Sequence, residues 1–254
     1  MTTITVTTLA DVSAPDGQTS LREANGLPNR TPGPARTTFA AAIEGATSPH
    51  AGDGELVVTD DLEIDGGAGG ITIDANADGD GDAATQSDGT EAGFSARRAI
   101  SVTGAATDVT LASLVITGGR TDGDGDANGG GGIIAVGTGT LFLVDSTVTG
   151  NATTGTGALG GGIFATTLAL TRSTVSDNAT VGLGASGGGI RGISVTLADS
   201  AVTGNSTAGD NAGGGGLYAI DTTLTGSTVA DNQTSGIESG GGGIWADYAV
   251  LTRS

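Results

Sequence analysis

Over most of this chain the apolar residues fall in short alternating runs, three to five residues long, separated by Gly, Asn and Asp. The stretch at 146–149, Ser-Thr-Val-Thr, is representative: one aliphatic side chain flanked by hydroxyls. A period of two over so few residues predicts a strand with one buried face, and the runs are too short for helices. The pattern also predicts strands at 55–58, 62–65 and 71–74, then at 99–102, 109–111 and 114–119.

From residue 133 onward the runs repeat. Leu143, Leu170, Leu197, Leu224 and Leu251 recur every 27 residues, as do Ser146, Ser173, Ser200, Ser227 and Ser254. Val148, Val175, Val202 and Val229 keep the same period; so do Ile163, Ile190, Leu217 and Ile244, with Ile133 leading them by 30. A unit of about three short strands cannot bury its own apolar face, but stacking each unit on the next at about 4.8 Å pairs every backbone amide and aligns like with like. The expected fold is all-β: a right-handed parallel β-helix, or solenoid, with about 27 residues per coil. Residues 55–254 supply six coils and a partial seventh, and residues 1–54 form an N-terminal cap. In the cap, Thr3–Thr8 alternates like a strand, and Ser20 with Glu23 has capping-box spacing for a short helix. The last coil stops in mid-strand at Leu251-Thr-Arg-Ser, so we expect the natural chain to continue and the isolated one to associate end to end.

Composition narrows the partners. Only 3% of residues are aromatic, so the core is built from Val, Leu, Ile, Ala and Thr; the 49 glycines recur in register with apolar residues, which argues for a folded repeat rather than disorder. The net charge of −19, from 28 acidic residues against nine arginines and no lysine, repels phosphate backbones and anionic lipid. Nucleic acid is therefore not an expected partner, and divalent cations are. No run reaches the roughly 18 apolar residues of a membrane helix, so no membrane insertion is expected in this segment. The first residues show no signal-peptide pattern, and the absence of Cys removes disulfides and thiol chemistry.

The string from Ile4 to Asn25, ITVTTLADVSAPDGQTSLREAN, resembles the N-terminal CSLREA-type cap of bacterial secreted and surface β-helix proteins, with Thr19 where that motif has cysteine. The later GGGI…STVSDN coils resemble the repeats of polymorphic outer-membrane-protein-like families. The resemblance covers essentially the whole chain and implies a secreted or cell-surface bacterial β-helix. It implies no catalytic residue.

Four features are candidates for chemistry. Asn151, Asn178, Asn205 and Asn232 each open an N-x-T triplet; glycosylation is one reading, and a ladder of stacked amides at a turn is the other and the favoured one. Two acidic excursions at 74–98 and 118–130 should lie side by side. In the first, Asp74, Asn76, Asp78, Asp80 and Asp82 follow the opening of an EF-hand-like loop, with Thr85 in place of the bidentate Glu. Asp122, Asp124 and Asp126 of the second could complete a calcium site with them, or the loops could simply be solvated. Phe164, Arg191, Tyr218 and Trp245 form an outward column at the same 27-residue spacing, either a carbohydrate-binding row or a cover for the sheet edge. His50, the one histidine, has no evident partner in the sequence; Asp145, Asp199 and Asp221 fall in no paired arrangement, and Arg120 beside Asp122 and Asp124 is the nearest approach to a lyase-like group. The expected role is therefore a structural or adhesive rod displaying loops to carbohydrate or a host-cell ligand. The alternative is an extracellular polysaccharide lyase or hydrolase.

Overall fold

A computed structural model describes residues 1–11, 13–30, 33–49, 54–76, 97–105, 107–157 and 159–254. The strands gather into three sheets of eleven, seven and five strands, and the pairings between strands are parallel. The chain visits the sheets in turn. Ile163–Thr171 lies in the first, Thr174–Ser176 in the second and Ala179–Val181 in the third; Ile190–Ala198 then returns to the first, hydrogen-bonded beside Ile163–Thr171. The structure is all-β, and among the described residues no helix is long and apolar enough to cross a membrane.

Register places like on like. Ile64, Leu111, Leu143, Leu170, Leu197 and Leu224 pair successively across the first sheet, and none is more than 1% exposed. Val148, Val175 and Val202 do the same in the second sheet at 0% exposure. Each such side chain contributes about 1.5–3 kcal/mol by leaving water. The flanking hydroxyls of each three-residue strand face outward, as the alternation predicts.

Two features differ from the sequence reading. In the first sheet, stretches read as separate short strands are one continuous strand, Ile133–Val144 and then Ile163–Thr171, Ile190–Ala198 and Leu217–Thr225. Ladder bonding carries each strand through a local break in the alternation, where Ile193 and Ser194 both face away from the core. The stacking also begins earlier than residue 55. Ala35–Phe39 pairs with Leu62–Asp65, and Thr47–Pro49 with Ile71–Asp74, inside the segment assigned to the cap. These strands put Thr37 and Ser48, 0% and 3% exposed, where later repeats put Ile, Leu or Val, so the hydrophobic pattern does not reveal them.

At the N-terminal end, Thr2–Val6 adds a strand beside Ala35–Phe39, and the helix Leu21–Gly26 closes over the core through Leu21 and Ala24. Its start is a reciprocal capping box. Ser20 Oγ accepts from the Glu23 amide at 3.1 Å, and Glu23 Oε2 accepts from the Ser20 amide at 2.9 Å.

Candidate functional site

Two side-chain ladders bracket the second sheet. Just after its strands stand Asn151, Asn178, Asn205 and Asn232. Asn178 Oδ1 accepts from both the backbone amide and the Nδ2 of Asn151 at 3.0 Å, and Asn178 makes the same pair of bonds to Asn205 Oδ1. Asn178 Nδ2 also donates to the carbonyls of Val148 and Ser176 at 2.9 and 2.8 Å. The amides that N-x-T chemistry would need are spent inside the fold: Asn151, Asn178 and Asn205 are at most 1% exposed. Just before the strands runs a serine ladder. The amides of Ser146, Ser173, Ser200 and Ser227 donate to the hydroxyl of the serine 27 residues on, at 3.1–3.2 Å. The serine column was visible as a period, but its bonds could not be inferred, because a hydroxyl with that spacing could equally face water.

Beside the serines, a corner of the repeat is held in the left-handed region by Asp145, Arg172 and Asp199, each at φ 49°. Arg172 Nε and Nη2 clasp both carboxylate oxygens of Asp145 at 2.7 Å. This bond holds the Asp145 carboxyl below its ordinary range and raises Arg172. Asp145 therefore has a partner, which the sequence reading did not find, and both groups are exposed.

The aromatic column is assembled in register: Phe164 beside Arg191, Arg191 beside Tyr218, Tyr218 beside Trp245. It is not the flat solvent-facing row the alternation predicts. Phe164 is only 8% exposed, and the backbone of Gly129 lies so close that an added Cβ would stand 2.6 Å from Phe164 Cδ1. The Tyr218 and Trp245 rings stack on one another, centroids 4.2 Å apart and planes 9° from parallel, while the Arg191 guanidinium covers the other face of Tyr218 at 4.6 Å. Rungs of a parallel ladder stand at about van der Waals separation for flat groups, so rings in one column satisfy each other face to face and turn their edges outward. Burial lowers the Arg191 pKa, and Tyr218 and Asp126 offset this in part.

The acidic excursions meet where they leave and re-enter the repeat. Asp74 sits against Gly118, where a Cβ would stand 2.3 Å from Asp74 Oδ1, and Arg97 and Arg120 form an antiparallel bridge. Asp74 Oδ1 accepts from the Asn76 amide at 2.9 Å, and Asp124 Oδ1 from the Thr156 amide at 2.7 Å. Asp122, Asp124 and Asp126 are exposed. Asp78, Asp80 and Asp82 lie outside the described residues, as do Asp88, Glu91 and His50. Among the described residues, no three His, Cys, Asp or Glu side chains stand close enough to hold a metal ion. Exposed Asp221 stacks between Ser194 and Tyr248.

Arg98 carries no signal in the pattern of the chain. This side chain is 8% exposed; it donates to Glu55 Oε2 at 2.7 Å, to the carbonyls of Gly130 and Gly129 at 2.8 Å and to that of Ala127 at 3.0 Å. Burial lowers its pKa, and Glu55 works against that shift. Arg98 thus pins the second acidic loop to the core at the point where Gly129 covers Phe164. A separate recess of about 320 Å³ opens beside the first strand, between Met1, Ile4, Leu27, Pro34 and their neighbours.

No family model, curated protein or solved structure matches this chain.

Proposed function

We propose that this chain is a right-handed parallel β-helix of a secreted or cell-surface bacterial protein, and that its work is mechanical: a stiff rod that holds loops away from a surface for adhesion. The observation that carries this reading is the pair of unbroken side-chain ladders, Asn151 to Asn232 and Ser146 to Ser254, flanking one continuous aliphatic core. Ladders of this kind fix register between neighbouring coils and give every interior amide a partner, which resists bending and shear. Right-handedness follows from the general rule for parallel crossovers. Among the described residues, the second acidic loop is a displayed segment that Arg98 locks to the core. An adhesive role is tested by presenting the chain on a cell with no adhesin of its own. Attachment to glycan-coated or host-cell surfaces should exceed that of cells presenting a variant in which residues 122–130 are replaced by a short Gly-Asn turn. Equal attachment by both would reject loop display as the function.

A further inference from the structure

Four successive strands of the second sheet present an uncharged, hydroxyl-rich outer face in this acidic molecule. On the four strands Thr147–Thr149, Thr174–Ser176, Ala201–Thr203 and Thr228–Ala230, the buried or half-buried centre is Val and the two flanking positions point outward. Six of those eight outward positions carry hydroxyls, Thr147, Thr149, Thr174, Ser176, Thr203 and Thr228, and the other two are Ala. None carries a charge, in a chain of net charge −19. Charges return at the corners, with Asp145, Arg172 and Asp199 on one side and Asp177 on the other.

The array is also unusually well registered. The serine ladder holds the start of each strand and the asparagine ladder holds its end, and side-chain ladders of this sort are what keep a sheet from twisting. The outward groups therefore form a two-column lattice with spacings of about 4.8 Å from strand to strand and about 6.7 Å along each strand.

Geometry and chemistry exclude most occupants. The whole face of the seven-stranded sheet is a strip about 30 Å by 7 Å, on the order of 200 Å², far short of the roughly 800 Å² per partner that a specific protein interface or a second copy of this chain would bury. Its four strands from Thr147 to Ala230 have no aromatic ring for a sugar and no charge for an ionic polymer; the outward carboxylate of the sheet, Asp74, lies two strands further on, in Ile71–Asp74. A rigid lattice of paired hydroxyl and methyl groups matches a ligand that is itself a lattice. The methyl groups restrict the water beside them, the hydroxyls can bond it, and the two spacings lie close to the oxygen repeats on a prism face of ice. We propose that this threonine face is an ice-binding plane. The proposal goes beyond the scaffold reading and does not depend on it.

The test is incorporation into slowly growing polycrystalline ice, read as the ratio of protein in the ice to protein in the remaining liquid. The parent chain should be enriched several-fold over an inert protein of similar size and should slow ice recrystallisation. The double variant Thr149→Lys, Thr174→Lys should be excluded from ice while keeping its circular dichroism, since both side chains point outward. Thr196→Lys, on the exposed face of the first sheet, should behave as the parent does. Exclusion of the parent chain from ice would overturn the proposal. So would equal loss in the first-sheet and second-sheet variants, or retention of the parent on crystalline chitin or cellulose without entry into ice.

Discussion

The side chain of Asn178 has no polar atom to spare: its oxygen accepts twice from Asn151, and the two hydrogens of its Nδ2 are shared among the carbonyls of Val148 and Ser176 and the Oδ1 of Asn205. Replacing it with Leu strands donors and acceptors on both neighbouring repeats, so Asn178→Leu should cost about 1–3 kcal/mol in denaturant unfolding. Asn232→Leu should cost less, because Asn232 is only half-buried and water can take over its bonds. Equal midpoints for the two variants would remove the ladder from the stability argument. Nearby, the hydroxyls of Thr153 and Thr180 are buried with no hydrogen-bond partner. Thr180→Val keeps the shape and removes an unsatisfied group, so it should stabilise by about 1 kcal/mol; a loss of stability would mean that the hydroxyl is bonded. The third residue-scale expectation concerns Asp145, whose carboxyl Arg172 holds below its ordinary range. A group with a depressed folded pKa contributes stability above its unfolded pKa, and loses it as pH falls through the folded value. Arg172→Ala should therefore move the Asp145 titration upward in carbon-detected NMR and flatten the acid limb of the stability curve. Because the pair is exposed, the change in stability should be slight.

Among the elements, the loop after Arg120–Thr121 depends on a residue far from it in sequence. Arg98 supplies donors to three of the loop's carbonyls, and Glu55 balances the buried charge. Arg98→Met fills similar space but leaves those carbonyls with no donor. Amides of Gly125, Asn128, Gly129 and Gly130 should then exchange with solvent at least about tenfold faster, equivalent to about 1.4 kcal/mol of local opening. Amides in Thr174–Ser176 should be unchanged, and uniform acceleration throughout the chain would show that Arg98 supports the whole fold rather than this loop. Gly129 covers the Phe164 ring, so loosening the loop should also expose that ring.

At the scale of the whole molecule, the dominant long-range term is self-repulsion. A net charge of −19 on a chain of 254 residues opposes folding most strongly when salt is low. Raising ionic strength to about 0.15 M shortens the screening distance to about 8 Å, so the melting temperature should climb steeply over that range and level off beyond it. Calorimetry in sodium chloride checks this directly. A melting temperature independent of salt would place the acidic groups too far apart to repel.

What the sequence determined by itself was the repetition and everything local to one repeat. Alternation over a few residues identified the strands of the second sheet from Ile71–Asp74 onward, the 27-residue period aligned Leu143 with Leu170 and Val148 with Val175, and Ser20 with Glu23 marked the helix start. These signals survive because they depend on neighbours within one strand or one turn. Thr37 and Ser48 escaped them, since a polar residue facing inward breaks the alternation that makes a strand legible. Only the tertiary structure decided which atoms meet between repeats. The orientation of the Tyr218 and Trp245 rings, the clasp of Arg172 on Asp145 and the burial of Arg98 under the loop join residues 27 or more positions apart. Periodicity can bring such residues to the same column, but side-chain torsions and the packing of the adjacent rung choose whether a ring shows its face or its edge, and whether a charge meets water or a carbonyl.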